Sequence, residues 1–189
     1  MGMVFATTAA IGAVAITGAI ENKGAVMILL IVPAALLLAV YKSAQTPPAD
    51  GSCAPSRSAQ KRYIKRVAVS TSLYLATFAL MTFVKQSADV PLPAQYLLAL
   101  LPGLAVCGVF WAIGRLIVEE EDEFLRMLTV RQTLIATAIA LSAASIWGFL
   151  ESADLVIHVD AYWYAIIWFF GVGVGAAANR IQYGTWGAV

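Results

Sequence analysis

Five consecutive acids, Glu119, Glu120, Glu121, Asp122 and Glu123, account for five of the eleven Asp and Glu residues in the chain, and Arg126 follows them closely. Carboxylates in such a run can do four things. They can bind a cation: Glu119, Glu120 and Glu123 converge on one side of a helix, and hard divalent ions take several carboxylate oxygens. Repeated around an oligomer axis, the same three would form an acidic ring like those at cation-pore mouths. They can dock a basic partner, or clasp the chain's own basic segment at Lys61, Arg62, Lys65 and Arg66, on electrostatic grounds alone. They can start a helix, since carboxylates in a first turn satisfy free N–H groups and oppose the helix dipole. Finally, they can act as general acids or bases, and here the rest of the sequence argues against them.

Acid–base chemistry draws heavily on histidine, and the chain has one, His158. A carboxylate di-iron site would require paired Glu-x-x-His motifs. A Gly-x-Ser-x-Gly elbow and a His-Glu-x-x-His helix are both missing from the sequence. The expectation is therefore a protein that is not an enzyme, with no catalytic residue and no cofactor. His158, between Asp154 and Asp160, reads as a solvated loop histidine, with a pH sensor or weak metal ligand as the sharper alternative. Cys53 and Cys107 are too few for a disulfide framework.

These side chains must be positioned by elements that are mostly apolar. The 189 residues are 61% hydrophobic and 12% charged, with a mean hydropathy of +0.82. Soluble domains are nearer a quarter charged, and a chain this short cannot hide so much apolar surface in water. Apolar runs occur at 3–20, 24–41, 67–84, 94–118, 133–150 and 161–178. Each is close to the ~20 residues needed to cross a bilayer core. The first, rich in Ala and Gly, is only mildly apolar. Pro33 lies in the second run, and Pro102-Gly103 in the fourth. The expected fold is an all-α, polytopic membrane helical bundle of six transmembrane helices. It divides into an N-terminal helical hairpin at 1–41, a basic loop at 42–66, and a four-helix bundle at 67–189 whose turn at 119–123 carries the acids.

Charge orients this bundle. The Lys61–Arg66 cluster abuts the third run, and basic residues beside spans stay on the cytoplasmic side. That places the 42–66 loop, the acidic turn and both termini inside, and His158 outside. Arg115 to Glu119 and Asp122 to Arg126 are each four apart, so each can pair on one helical face. Tyr162, Trp163, Tyr164 and Trp168 read as an interfacial aromatic belt, and Trp111 and Trp147 as packing residues within spans. Gly171 and Gly175 form a small-xxx-small pair that lets helices approach closely. Ala9, Ala13 and Thr17 share that spacing. The ordinary reading is packing inside the bundle, and the sharper one is a homo-oligomer contact.

From Glu120 onward the chain resembles a loose group of small bacterial inner-membrane proteins of unassigned function. The resemblance rests on Asp122-Glu123-Phe124-Leu125-Arg126 leading into a span, then Trp147-Gly148-Phe149-Leu150-Glu151, and a last span ending in Asn179-Arg180. It implies a bacterial inner membrane and brings no activity. The resulting expectation is a non-enzymatic accessory, scaffold or assembly subunit in an oligomer or larger membrane complex. Its partners would be membrane lipid and further copies or other membrane proteins, not nucleic acid. The alternative is a cation channel or transporter entered through Glu119, Glu120 and Glu123.

Overall fold

A computed structural model describes Ala35 and residues 57–87 and 91–187. The expected hairpin at 1–41, with its Ala9/Ala13/Thr17 stripe, and most of the 42–66 segment, including Cys53, lie outside the described residues. What is described is helical: α1 (Arg57–Ser87), α2 (Leu92–Glu119), α3 (Glu123–Ser152) and α4 (Tyr162–Tyr183). There is no strand among the described residues. All four helices are long and apolar enough to cross a membrane. The shortest has 22 residues and the longest 31, or about 33 and 46 Å at the α-helical rise.

One boundary corrects the sequence reading. Residues 57–66 are not loop but the first turns of α1. Lys, Arg, Gln and Ala are all good helix formers, so the polar stretch continues the helix beyond its apolar part. A helix end that leaves the lipid can carry such residues without penalty.

The helices form two pairs, α1 with α2 and α3 with α4, and these fall in two compact units that meet in sequence between Glu120 and Glu121. In the first pair, α1 buries Tyr63, Val67, Thr71 and Phe78, while α2 buries Ala105, Val109, Ala112 and Leu116. Steps of three and four keep each set on one helical face. Gly108 brings α2 close to α1: a Cβ there would lie 2.6 Å from Ser70 Oγ. α2 runs through Pro102, which is buried within it.

In the second pair, α3 buries Leu128, Gln132, Ala136 and Ala140, a strict step of four. α4 answers with Gly171, Gly175 and Asn179, also four apart. A Cβ on Gly171 would lie 2.7 Å from Ala136 Cα, and one on Gly175 would lie 2.8 Å from Gln132 O. Backbone therefore meets backbone along this seam, and the two glycines serve packing within the chain.

Large apolar side chains point the other way. Leu97, Leu100 and Leu104 on α2, Leu134, Leu141 and Phe149 on α3, and Phe170 and Val174 on α4 are exposed. Only 11% of the most apolar window of α3 is buried, and 33% of that of α4. Many large apolar side chains thus face outward, although Tyr63, Phe78, Leu116, Leu128 and Phe169 are buried. Water would not tolerate this arrangement, but lipid does.

Candidate functional site

The acids of the run separate by environment. Glu119, in the last turn of α2, turns its carboxylate onto three guanidiniums. Arg62 donates through Nε at 2.8 Å. Arg66 makes a two-pronged contact, Nη1 to Oε2 at 3.0 Å and Nη2 to Oε1 at 2.9 Å. Arg115, one turn back on the same helix, donates from Nε at 3.0 Å and brings Nη2 to 2.7 Å. The Glu119 side chain keeps only 11% of its surface in contact with solvent. A fork-to-fork arginine–carboxylate contact is among the stronger and more directional ion pairs. Three arginines on one carboxylate form a network and not an isolated surface pair. The clasp joins α1 to α2, with Arg62 and Arg66 one turn apart on α1.

Arg66 has a second contact, its guanidinium lying 5.3 Å from the centre of the Trp111 ring. Trp111 is 58% exposed, so it is not the packing residue that its place in an apolar run suggested. Four residues separate it from Arg115, which puts both on one face of α2. Lys61 and Lys65 are exposed, and no ion pair among the described residues engages them. Glu120 is buried at the C-cap of α2, its backbone N–H bonded to Leu116 O at 2.9 Å.

In the second unit, Asp122 caps α3. Its Oδ1 accepts from the backbone N–H of Phe124 at 2.8 Å and of Leu125 at 3.2 Å. Such a cap is worth about 1 kcal/mol. Glu123 stands in the first turn, where the helix dipole favours it. Glu121 and Glu123 are exposed, and Arg126 is partly so, with its backbone N–H on Asp122 O at 2.9 Å. The helix-start role and the clasp are thus divided among different acids. Groups of three or more His, Cys, Asp or Glu side chains able to hold a metal are not found among the described residues.

A polar seam in the α3–α4 pair was not foreseen. Gln132 and Asn179 are fully buried. Gln132 Nε2 donates to Val172 O at 3.0 Å, and Asn179 Nδ2 donates to Leu128 O at 3.1 Å. Arg131 reaches Asn179 Oδ1 at 3.5 Å, contacts Gln182, and lies 5.1 Å from the Tyr183 ring centre. The edge of Phe124 meets Tyr183 as well, with 5.9 Å between ring centres. The apolar runs placed Gln132 just before a span and Asn179 just after one. The signal that would have found them is their register: Leu128, Gln132 and Ala136 on one helix, Gly171, Gly175 and Asn179 on the other.

At the opposite end of that pair, His158 contacts Glu151 through Nδ1 and has Nε2 3.9 Å from Asp160 Oδ1. The hydrogen bond and charge of Glu151, with a smaller contribution from Asp160, raise its pKa above the ordinary histidine value against a slight desolvation that lowers it. Trp147 donates to Ile157 O at 3.2 Å, and Trp168 to Thr137 Oγ1 at 3.0 Å. Compared with known proteins, the chain matches no family model, no curated protein and no solved structure.

Proposed function

We propose that this chain is a non-enzymatic, multi-pass integral protein of a bacterial inner membrane, serving as an accessory, scaffold or assembly subunit in an oligomer or larger membrane complex. The reading takes six spans with both termini on the cytoplasmic face. One observation carries it: the helices turn their large apolar side chains outward along most of their length, leaving broad faces to lipid and to other helices. Charge concentrates at the helix ends, in the Glu119 clasp and in the Asp122 cap, where it can set depth and register beside a neighbour. Nucleic acid has no place in this reading.

Mass measurement in a native-like detergent or nanodisc tests the assembly role. A particle larger than one chain, or one carrying a stoichiometric membrane partner, supports it. A bare monomer with no partner from the native membrane overturns it. The competing reading, a cation pathway entered through Glu119, Glu120 and Glu123, draws less support. The Glu119 oxygens already accept from three arginines, and Glu120 is buried. Liposome flux that falls when all three are changed to Gln would favour that pathway instead.

A further inference from the structure

We propose that the clasp end of the α1–α2 pair is a binding site for the headgroup of an anionic phospholipid, with Lys61, Lys65 and Arg62 holding the phosphate and Trp111 beside the upper acyl chain. The site begins with donors that Glu119 does not use. Arg62 gives Glu119 its Nε–H, and among the described residues no acceptor engages its terminal nitrogens, on a side chain that is 49% exposed. Arg115 is likewise 46% exposed. Because Glu119 fixes the guanidinium planes, a phosphate meets them already oriented, and less side-chain freedom is lost on binding. Lys61 and Lys65 are one turn apart and exposed, and Lys65 stands three residues from Arg62, so these side chains neighbour one another on the helix.

What favours a lipid over a free phosphate is the sequence of side chains along α1. Lys65, Val69 and Leu73 are successive steps of four on one exposed face, with Val69 60% and Leu73 49% exposed. Within about 5 Å, one helical turn, the face changes from ammonium to branched aliphatic. Trp111 is joined to this end through Arg66, and an exposed indole beside cations suits the level where headgroup meets hydrocarbon. A surface that is cationic at one end and apolar at the other matches an amphiphile carrying a phosphate. Clusters of Lys and Arg at the end of a membrane helix attract such headgroups. Acids do follow in the chain: Asp122 uses its carboxylate on the α3 cap, while Glu121 and Glu123 are exposed and screened by salt. The preference therefore rests on fixed donor geometry more than on net charge.

Tryptophan quenching in nanodiscs of phosphatidylcholine tests this. Acyl-brominated phosphatidylglycerol or acyl-brominated phosphatidylcholine is added at the same mole fraction, and the Trp111 signal is the difference between the full chain and W111F. The expected result is stronger quenching of Trp111 by the anionic lipid. K61Q/K65Q, which leaves the Glu119 clasp untouched, should weaken the preference about fivefold for each lysine. Equal quenching by the two lipids would overturn the proposal, as would a preference unchanged in K61Q/K65Q with the melting temperature preserved. Loss of the preference on adding inorganic phosphate alone, at constant ionic strength, would equally refute a lipid-specific site. None of these outcomes depends on oligomeric state, so the site stands or falls apart from the assembly role.

Discussion

The two helix pairs solve the same packing problem with different chemistry. At the end of α1–α2, a single carboxylate gathers three guanidiniums drawn from both helices. Along α3–α4, two glycines bring backbone against backbone, and two buried amides bond to main-chain carbonyls. Membrane helices gain little from burying apolar surface, because lipid is as apolar as their own side chains. Close approach and polar contact must then hold them: α1–α2 adds charge at its end to the approach at Gly108, while α3–α4 joins its glycine seam with buried amides. The difference has consequences. A charge clasp with partly exposed arginines lies where solvent and salt reach it, so it can respond to them. A glycine seam is hidden and responds only to shape.

Substitutions that act on one pair and spare the other will sharpen this contrast. The largest effect should come from Gly171→Leu. The new side chain would enter space already held by the Ala136 backbone, at a cost of about 3 kcal/mol. Reversible unfolding in mixed micelles measures the loss. Hydrogen exchange should rise in residues 123–140 and 166–179 while residues 57–66 keep their protection. Asn179→Ala should cost about 1 kcal/mol, typical of a hydrogen bond between membrane helices, by removing the bond to Leu128 O and a partner of Arg131.

Smaller effects lie at the turn between α3 and α4. Asp154 holds a φ of 57°, where α3 closes through bonds from Asp154 N to Glu151 O at 3.0 Å and Leu155 N to Leu150 O at 3.0 Å. The end of α4 puts Gly184 at the corresponding left-handed position, with φ of 76°. Asp154→Gly should stabilise the pair by about 0.5 kcal/mol, since glycine adopts this conformation without a Cβ penalty. The smallest effect belongs to His158, which is well exposed. Its folded pKa is raised, so its contribution is fully present below about pH 6.5, the unfolded value. That contribution is lost as pH rises through the folded value. The chain has one histidine, so a single imidazole NMR titration reads it, and Glu151→Gln should move the midpoint down.

Much of this was legible in the sequence because it follows from local rules. Long apolar runs gave the four described helices, the Arg115–Glu119 spacing gave one arm of the clasp, and an acid before Phe124 gave the cap. The opposing charges of Lys61–Arg66 and the acidic run pointed to a clasp. They could not select Glu119, because that choice depends on how α1 lies against α2. The start of α1 at Arg57 was missed because polar helix formers flanking an apolar run look like loop when apolarity alone marks a helix. Gln132 and Asn179 were missed for the related reason that apolar windows trim polar residues from helix ends. Their burial depends on the partner helix, through Gly175 lying on Gln132. Trp111 was misread because tryptophan in an apolar run is equally at home facing lipid.

The division between a charge-held pair and a shape-held pair is tested most directly by a double-mutant cycle on Glu119 and Arg66, with hydrogen exchange of residues 57–66 as readout. Glu119→Gln should raise exchange there more than Arg66→Gln does, because it releases Arg62, Arg66 and Arg115 together, and the double variant should be little worse than Glu119→Gln alone, since that change already removes the two-pronged contact. The loss should shrink as salt rises, and residues 123–140 should not change. Strictly additive losses, or equal loosening of both helix pairs, would contradict it.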